Sequence, residues 1–315
     1  MKDTIQLIYN RSELGAGTRG SSIGVDAVLL EAINKGNTFF SNASSIVIND
    51  QNHILTEPIT HKWAKHIVGL IKIYSEVCDT VCDVLKKEKF PLIISGDHAS
   101  SGGTVAGIKK AFPDKRLGII WIDAHADLHS PYTSPSGNIH GMPIATMIAE
   151  DNLKFELDDV PKATRKLWNQ LKETGGMQPK ISPNDIVFVG VQDTEKEEDY
   201  LIEKHNILNY TPLELRKKSL KTVISEIQNK VLQACDMVYI SFDVDCLDSD
   251  LVSKGTGTPV SNGLRVEEVK TLLKSFLKWD KIVCLELTEI NPLLDNKGNK
   301  MAQTALEILE YALED

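Results

Sequence analysis

Four ionisable side chains stand at every second position in Asp123-Ala-His-Ala-Asp-Leu-His129. They follow an apolar run, Leu117-Gly-Ile-Ile-Trp-Ile122, that reads as a fully buried strand. Ionisable groups straight off a buried strand are costly to desolvate unless they pair or bind something. Aspartate and histidine are ligands for divalent metals, and a set of nitrogens plus carboxylates suits manganese, zinc or iron over calcium. Taken alone, the motif also reads as a solvated strand end.

Two further stretches have the same form. Pro91-Leu-Ile-Ile-Ser95 runs into Gly96-Asp97-His98, and Met237–Phe242 runs into Asp243-Val-Asp245. Together they give six ligand candidates: His98, Asp123, His125, Asp127, Asp243 and Asp245. One divalent ion would leave the four carboxylates repelling one another, whereas two ions balance them. Two metals about 3.5–4 Å apart share bridging carboxylates and a water that becomes hydroxide near neutral pH. The chemistry expected is metal-assisted hydrolysis, with Mn²⁺ favoured over Zn²⁺ by the oxygen-rich set. His129 could bind metal, line a pocket or cap the loop. Cys246 follows Asp245 directly, so continued strand geometry would turn its thiol the other way.

The elements that must position these groups alternate along the chain. Strands are expected at about Thr4–Tyr9, Ser44–Ile48, Pro91–Ser95, Leu117–Ile122, Asp185–Val191, Ile207–Tyr210, Met237–Phe242 and Ile282–Leu287. Between His61 and Lys87, Trp63, Ile67, Leu70, Ile71, Tyr74, Val77, Cys78, Val81, Cys82 and Leu85 recur at helical spacing and predict one long amphipathic helix. Further helices are expected near Val25–Asn34, from Ser100 to Phe112, from Pro212 to Gln233, over Val266–Leu277 and over Met301–Leu313. Residues 151–184, interrupted by Gly175-Gly176, read as a charged surface excursion. Buried strands alternating with helices predict a mostly parallel sheet covered on both faces. Five strands end in His98, Asp123, Asp193, Asp243 and Glu289. Ligands of open parallel sheets bind at those carboxyl ends. A single domain over 1–315 brings all five together.

With 44 acidic and 35 basic side chains, the net charge is −9. That argues against nucleic acid or an anionic membrane as partner. No stretch approaches the roughly 20 apolar residues of a membrane span. The N-terminal ten residues read as a strand, not a signal peptide. Five cysteines without scaffold spacing read as free thiols in a reducing, cytoplasmic setting. Cys78 and Cys82, four apart, read as core packing, and His61 and His66 as surface or packing residues.

Gly96-Asp-His98, Asp123-Ala-His-Ala-Asp127 and Ser241-Phe-Asp-Val-Asp245, in this order and separation, resemble the metal signatures of the ureohydrolase family of arginases, agmatinases and formiminoglutamases. The likeness extends from about Gly15 to Pro292. It implies a three-layer α/β/α sandwich, two Mn²⁺ per chain, a small guanidino substrate, and a homo-oligomer (trimer or hexamer). By the same resemblance, His98, Asp123, Asp127 and Asp243 hold one ion, and Asp123, His125, Asp243 and Asp245 the other. A bridging hydroxide attacks the guanidinium carbon, and Asp127 passes a proton to the leaving amine. Glu289 of Glu-Ile-Asn-Pro grips the guanidinium, and Thr258 of Thr-Gly-Thr-Pro lies at the same end. The loop Ser136-Gly-Asn-Ile-His-Gly-Met-Pro143 looks like arginase more than agmatinase. Ser136 and Asn138 would bind an α-carboxylate, and His140 would shuttle protons near neutrality. The chain departs from the usual arginase pattern in three places. His129 replaces an asparagine of the carboxylate site, Glu195 replaces an aspartate that contacts the α-amino group, and Ser249 replaces a proline. Glu198 would serve the same amino network. The resemblance implies hydrolysis of L-arginine to L-ornithine and urea. The alternative is a relative acting on formiminoglutamate, agmatine or guanidinobutyrate.

Overall fold

The computed structural model describes residues 5–157 and 159–314. Among these residues, eight strands form one sheet: β1 (Ile5–Asn10), β2 (Ser45–Ile48), β3 (Phe90–Ser95), β4 (Leu117–Ile122), β5 (Ile186–Val189), β6 (Leu208–Tyr210), β7 (Met237–Asp243) and β8 (Ile282–Thr288). Their order is β2-β1-β3-β8-β7-β4-β5-β6, and every neighbouring pair is parallel. Thr4, expected to open the first strand, lies outside the described residues.

Among the described residues, eleven α-helices accompany them: α1 (Gly24–Asn34), α2 (Thr38–Asn42), α3 (Ile67–Lys86), α4 (Ser101–Ala111), α5 (Pro143–Ile148), α6 (Lys162–Lys172), α7 (Lys196–His205), α8 (Pro212–Lys218), α9 (Leu220–Ala234), α10 (Val266–Phe276) and α11 (Lys300–Leu313). Side chains alternate across the pleat. Ile120, Ile122, Val238, Ile240 and Phe242 join a core with α1, α9, α10 and α11. Ile119, Trp121 and Tyr239 join a second core with α3, α4, α5 and α6. Two cores on opposite faces of one parallel sheet make the expected three-layer α/β/α sandwich.

β3 and β4, consecutive in the chain, are separated in the sheet by β8 and β7. The carboxyl ends of these four central strands therefore gather the three His/Asp motifs and Glu289 in one place, as the crevice rule for open sheets requires.

Three local readings are corrected. The long helix starts at Ile67, not near His61: His66 is left-handed at φ 55°, and residues 61–66 form a turn whose Lys65 N–H bonds to the carbonyl of Gly137, 2.8 Å away. The stripe of Trp63 and Ile67 runs across this boundary, so periodicity could not show it. The single helix expected over Pro212–Gln233 is two, because Ser219 at φ 79° breaks it and caps the second through the N–H of Thr222. The region 151–184 is less superficial than its charge suggests, since Trp168, Lys172 and Lys180 are all buried. All five cysteines are free and buried, and His61 packs on the hydroxyl of Thr164 at 2.9 Å.

Lys180 supports a stability prediction. It is 4 % exposed, and its ammonium donates to the carbonyl of Lys172. Burial pushes its pKa from 10.5 down to about 8. Such a shift corresponds to about 3 kcal/mol against the charged form. Losing the hydrogen bond returns about 1 kcal/mol. Lys180→Met is therefore expected to stabilise the fold at pH 7 by about 1–2 kcal/mol, raising the melting temperature by about 2–4 °C. Between pH 8 and 10.5 the unfolded chain holds a proton that the folded chain has released, so wild-type stability rises with pH through that window. The advantage of the methionine should shrink accordingly in melts at pH 10. A variant that melts lower than wild type at pH 7 contradicts this account.

Candidate active site

β4 delivers Asp123 at its last hydrogen-bonded position, where the Asp123 N–H still donates to Val189. The chain then leaves the sheet. Asp123 accepts the N–H of His125 at 2.7 Å, and Asp127 is left-handed at φ 51°. β7 ends similarly, with Asp243 accepting the N–H of Asp245 at 2.7 Å. Glu289, just past β8, is also left-handed at φ 67°. Non-glycine residues in this region carry backbone strain that the surrounding structure must hold, and such strain collects at functional sites.

The side chains converge. His98 Nδ1 lies 2.9 Å from Asp123 Oδ2, 3.1 Å from Asp243 Oδ2 and 3.2 Å from Asp127 Oδ2. His125 Nδ1 lies 2.9 Å from Asp245 Oδ2 and 3.5 Å from Asp123 Oδ1. Two groups of potential metal ligands result, His98–Asp123–Asp243 and Asp123–His125–Asp245, with Asp123 common to both. Despite their short separation, His98 Nδ1 and Asp123 Oδ2 approach too obliquely to hydrogen bond, and both are buried without a partner. Buried polar atoms are rarely left so. Two lone pairs directed at a common point suit a cation better than they suit each other, so this donor set fits a divalent metal pair.

Electrostatics agree. Burial and the charge of Asp123 push Asp127 up to about 7. Burial together with Asp245 and Asp123 drives Asp243 well above the carboxylate range. Burial would discharge the His98 imidazole, but the three aspartate carboxylates crowded around it outweigh burial and raise its pKa well above the usual value. Carboxylates crowded beyond what two imidazoles can neutralise call for more positive charge.

The second ring of contacts holds His98 rigidly. Its ring stacks on Trp121, with centroids 4.0 Å apart and planes at 4°. Its Nε2 meets the Ser241 hydroxyl at 2.7 Å, which leaves Nδ1 for the cluster. Neither partner was assigned a role from sequence, although Ser241 opens the Ser-Phe-Asp-Val-Asp motif. Asp97 was likewise missed. It is fully buried, accepts the N–H groups of Gly15 and Ala99, and is pushed up to about 7 by burial and by Glu289.

A cavity of about 300 Å³ opens above the cluster. His98, His125, Asp127, Asp243 and Asp245 face it, as do Thr258, His140, Ser136, Asn138, His129, Glu195 and Glu198. Asp123 and Glu289 are buried and do not line it. Of the five strand-end residues, only Asp193 is solvent-exposed, its carboxylate 3.7 Å from His125 Nε2. Glu289 Oε1 accepts the N–H of His98 at 2.9 Å and lies 3.1 Å from His140 Nδ1. That carboxylate overcomes the effect of burial and raises His140 to about 9, so the imidazole is protonated at neutral pH and does not titrate there as the sequence suggested. Thr258 donates its hydroxyl to Asp245 at 2.9 Å, which leaves the oxygen as an acceptor toward the cavity.

On the opposite wall, Glu198 accepts the N–H groups of Leu128 and Glu195, and burial pushes it up to about 7. The Thr133 hydroxyl oxygen accepts the N–H of Ser130 and meets His129 Nδ1 at 3.1 Å. Its own buried proton is satisfied only by donation to that Nδ1. His129 then carries its proton on Nε2, directed toward Glu195 Oε2 at 3.5 Å and Glu198 Oε2 at 3.7 Å. Burial also lowers its pKa. His129 is thus a neutral donor on the cavity wall.

Comparison with known proteins gives a consistent picture. A family model described as the arginase family matches residues 11–314. The arginase of Bacillus subtilis (strain 168) is 32 % identical over 317 residues, covering 99 % of this chain and 98 % of that protein. The native structure of Bacillus caldovelox arginase superposes with a TM-score of 0.82 at 28 % identity, over 99 % of this chain and 98 % of the other. Entamoeba histolytica arginase in complex with L-ornithine gives a TM-score of 0.84 at 25 % identity, again over 99 % and 98 %.

Proposed function

Because this chain belongs to the arginase family, we propose that it hydrolyses L-arginine to L-ornithine and urea in the cavity above the His/Asp cluster. The observation that carries the proposal is the pairing of two potential metal-ligand groups through Asp123 with a buried carboxylate, Glu289, held against the cavity-lining His98 and His140. His98, Asp123, Asp127 and Asp243 would hold one Mn²⁺, and Asp123, His125, Asp243 and Asp245 the other. When bound, such a pair supplies a water-derived nucleophile near neutral pH and polarises the substrate.

The chain's own residues do the rest. Glu289 offers the planar guanidinium a charge-assisted partner, and the Thr258 oxygen accepts a guanidinium N–H. The Asp127 carboxylate faces the cavity and can pass a proton to the leaving amine. His140 holds a proton on its imidazole at neutral pH and can deliver it to the same amine. Ser136, Asn138 and the Nε2–H of His129 supply donors for an α-carboxylate, while Glu195 and Glu198 supply acceptors for an α-ammonium. Buried free thiols support a cytoplasmic setting, and the family resemblance supports a trimer or hexamer. Among the described residues, no helix is long and apolar enough to cross a membrane.

The test is product release by manganese-loaded protein from L-arginine, agmatine, guanidinobutyrate and formiminoglutamate. We expect kcat/KM for L-arginine to exceed each other value by at least about 10²-fold, a ratio within reach of a site that pairs buried polar groups with its substrate. Faster cleavage of agmatine would sink the arginine assignment and leave the hydrolytic centre standing.

A further inference from the structure

The turn at 61–66, which precedes α3, is locked onto the cavity loop. Lys65 N–H donates to the carbonyl of Gly137 at 2.8 Å. Gly137 is left-handed at φ 72°, and a β-carbon there would overlap the carbonyl oxygen of Lys62. The two segments therefore approach too closely for any other residue, and the Lys65 side chain has a fixed place beside Asn138.

Lys65 Nζ donates to Asn138 Oδ1 at 3.1 Å. An ammonium has three donors and no acceptor, so this contact decides which way the Asn138 amide is turned. Oδ1 faces Lys65, and Nδ2 is directed away from it, on the side of Gly17, where a β-carbon would come within 2.7 Å. Among the described residues, Nδ2 donates to no protein acceptor, and Asn138 lines the cavity. Lys65 takes part in no ion pair among them. The loop supports the same polarity: Ser136 Oγ accepts the Asn138 N–H at 3.1 Å, and Ser134 Oγ accepts the Gly137 N–H at 3.0 Å. The Ser134 and Ser136 hydroxyls also meet each other at 3.4 Å, and the Asn138 amide protons remain available. A mouth otherwise dominated by Glu195, Glu198 and Asp193 thus has one edge that carries the Asn138 amide donor, backed by a cation in no ion pair among the described residues.

We propose that Lys65 is a positioning residue that turns the Asn138 amide donor into the cavity and so selects guanidino substrates bearing a carboxylate over those lacking one. This deepens the arginine reading and rests on it. Without Lys65, the amide can present its oxygen to the same anion, replacing an attraction with a repulsion. The contribution is to substrate capture, remote from the reacting carbon, so it belongs in KM more than in kcat.

The experiment compares wild type with Lys65→Met, Lys65→Gln and Lys65→Arg as full-length, manganese-loaded protein. Urea release from L-arginine is measured, with L-ornithine and agmatine as competing ligands. Lys65→Met should raise the KM for L-arginine and the inhibition constant of L-ornithine by about tenfold, the effect of one lost charge-assisted contact, with kcat and the constant for agmatine within about twofold. Lys65→Gln keeps a donor to Asn138 Oδ1 without the charge and should fall between, and Lys65→Arg should recover most of the loss. An unchanged KM overturns the proposal. So does an equal loss toward L-ornithine and agmatine, which would mark a packing role. If wild type releases no urea from L-arginine, the arginine reading fails first. Calorimetric binding of L-ornithine against agmatine then decides Lys65 by itself.

Discussion

Asp243→Asn is expected to cut urea release from L-arginine by at least about 10³-fold, roughly 4 kcal/mol in the barrier, while leaving the chelated protein as stable as wild type or more so. The two halves of this expectation have one cause. Asp243 is 2 % exposed, with one oxygen 3.1 Å from His98 Nδ1 and the other accepting the N–H of Asp245. Burial and the charges of Asp245 and Asp123 hold its pKa well above the usual 3.8. Across that interval the folded chelated protein keeps a proton that the unfolded chain has released, so stability falls as pH rises through it. Asparagine imitates the neutral acid: its oxygen can keep the bond from Asp245, and it never ionises. The same substitution removes a carboxylate from the group formed with His98 and Asp123. The rise in melting temperature on adding manganese should therefore shrink, and metal analysis should find fewer than two ions per chain. Full metal content with wild-type turnover would show that Asp243 is no ligand. A chelated variant melting far below wild type would show that the carboxylate stabilises the fold directly.

Part of this site could be read from the sequence because its logic is local. An apolar strand that stops at an ionisable residue announces a strand end, and a parallel sheet puts strand ends together. His98, Asp123, Asp243 and Glu289 follow from that rule alone. The supports of these residues do not. Ser241 reaches His98 across 143 positions, and Lys65 reaches Asn138 across 73. No periodicity carries such pairings, which exist only once the sheet order β3-β8-β7-β4 is set. The turn at 61–66 stayed hidden for a different reason: Trp63 continues the apolar stripe of α3, so burial continues where the helix does not. His140 shows a third limit. Its residue type suggests a group titrating near neutrality, but a carboxylate 149 positions away raises it to about 9.

Glu289→Gln is expected to lower kcat/KM for L-arginine by about 10³-fold, in the range for removing one partner of a buried charge pair, with manganese content unchanged. Glu289 is 2 % exposed and belongs to neither potential ligand group, so metal loss cannot account for the defect. Burial would raise its pKa, yet His140 outweighs burial and keeps the carboxylate ionised. The glutamine has the same shape without the charge that a guanidinium needs. Its oxygen can still accept the His98 N–H, so the strained turn at φ 67° keeps its main support. A second readout follows from the same contact. The anion is what raises His140 to about 9 against the opposing effect of burial. Without it, only the smaller pulls of Asp127 and Asp97 oppose burial, so the imidazole pKa should fall well below about 9. Proton NMR of the His140 ring in chelated protein measures this directly, apart from turnover. If kcat/KM falls while His140 keeps its high pKa, Glu289 acts on the guanidinium alone. If both move, one carboxylate orders the substrate cation and holds the proton that the leaving amine requires. Wild-type kcat/KM in this variant would mean that the guanidinium binds elsewhere in the cavity.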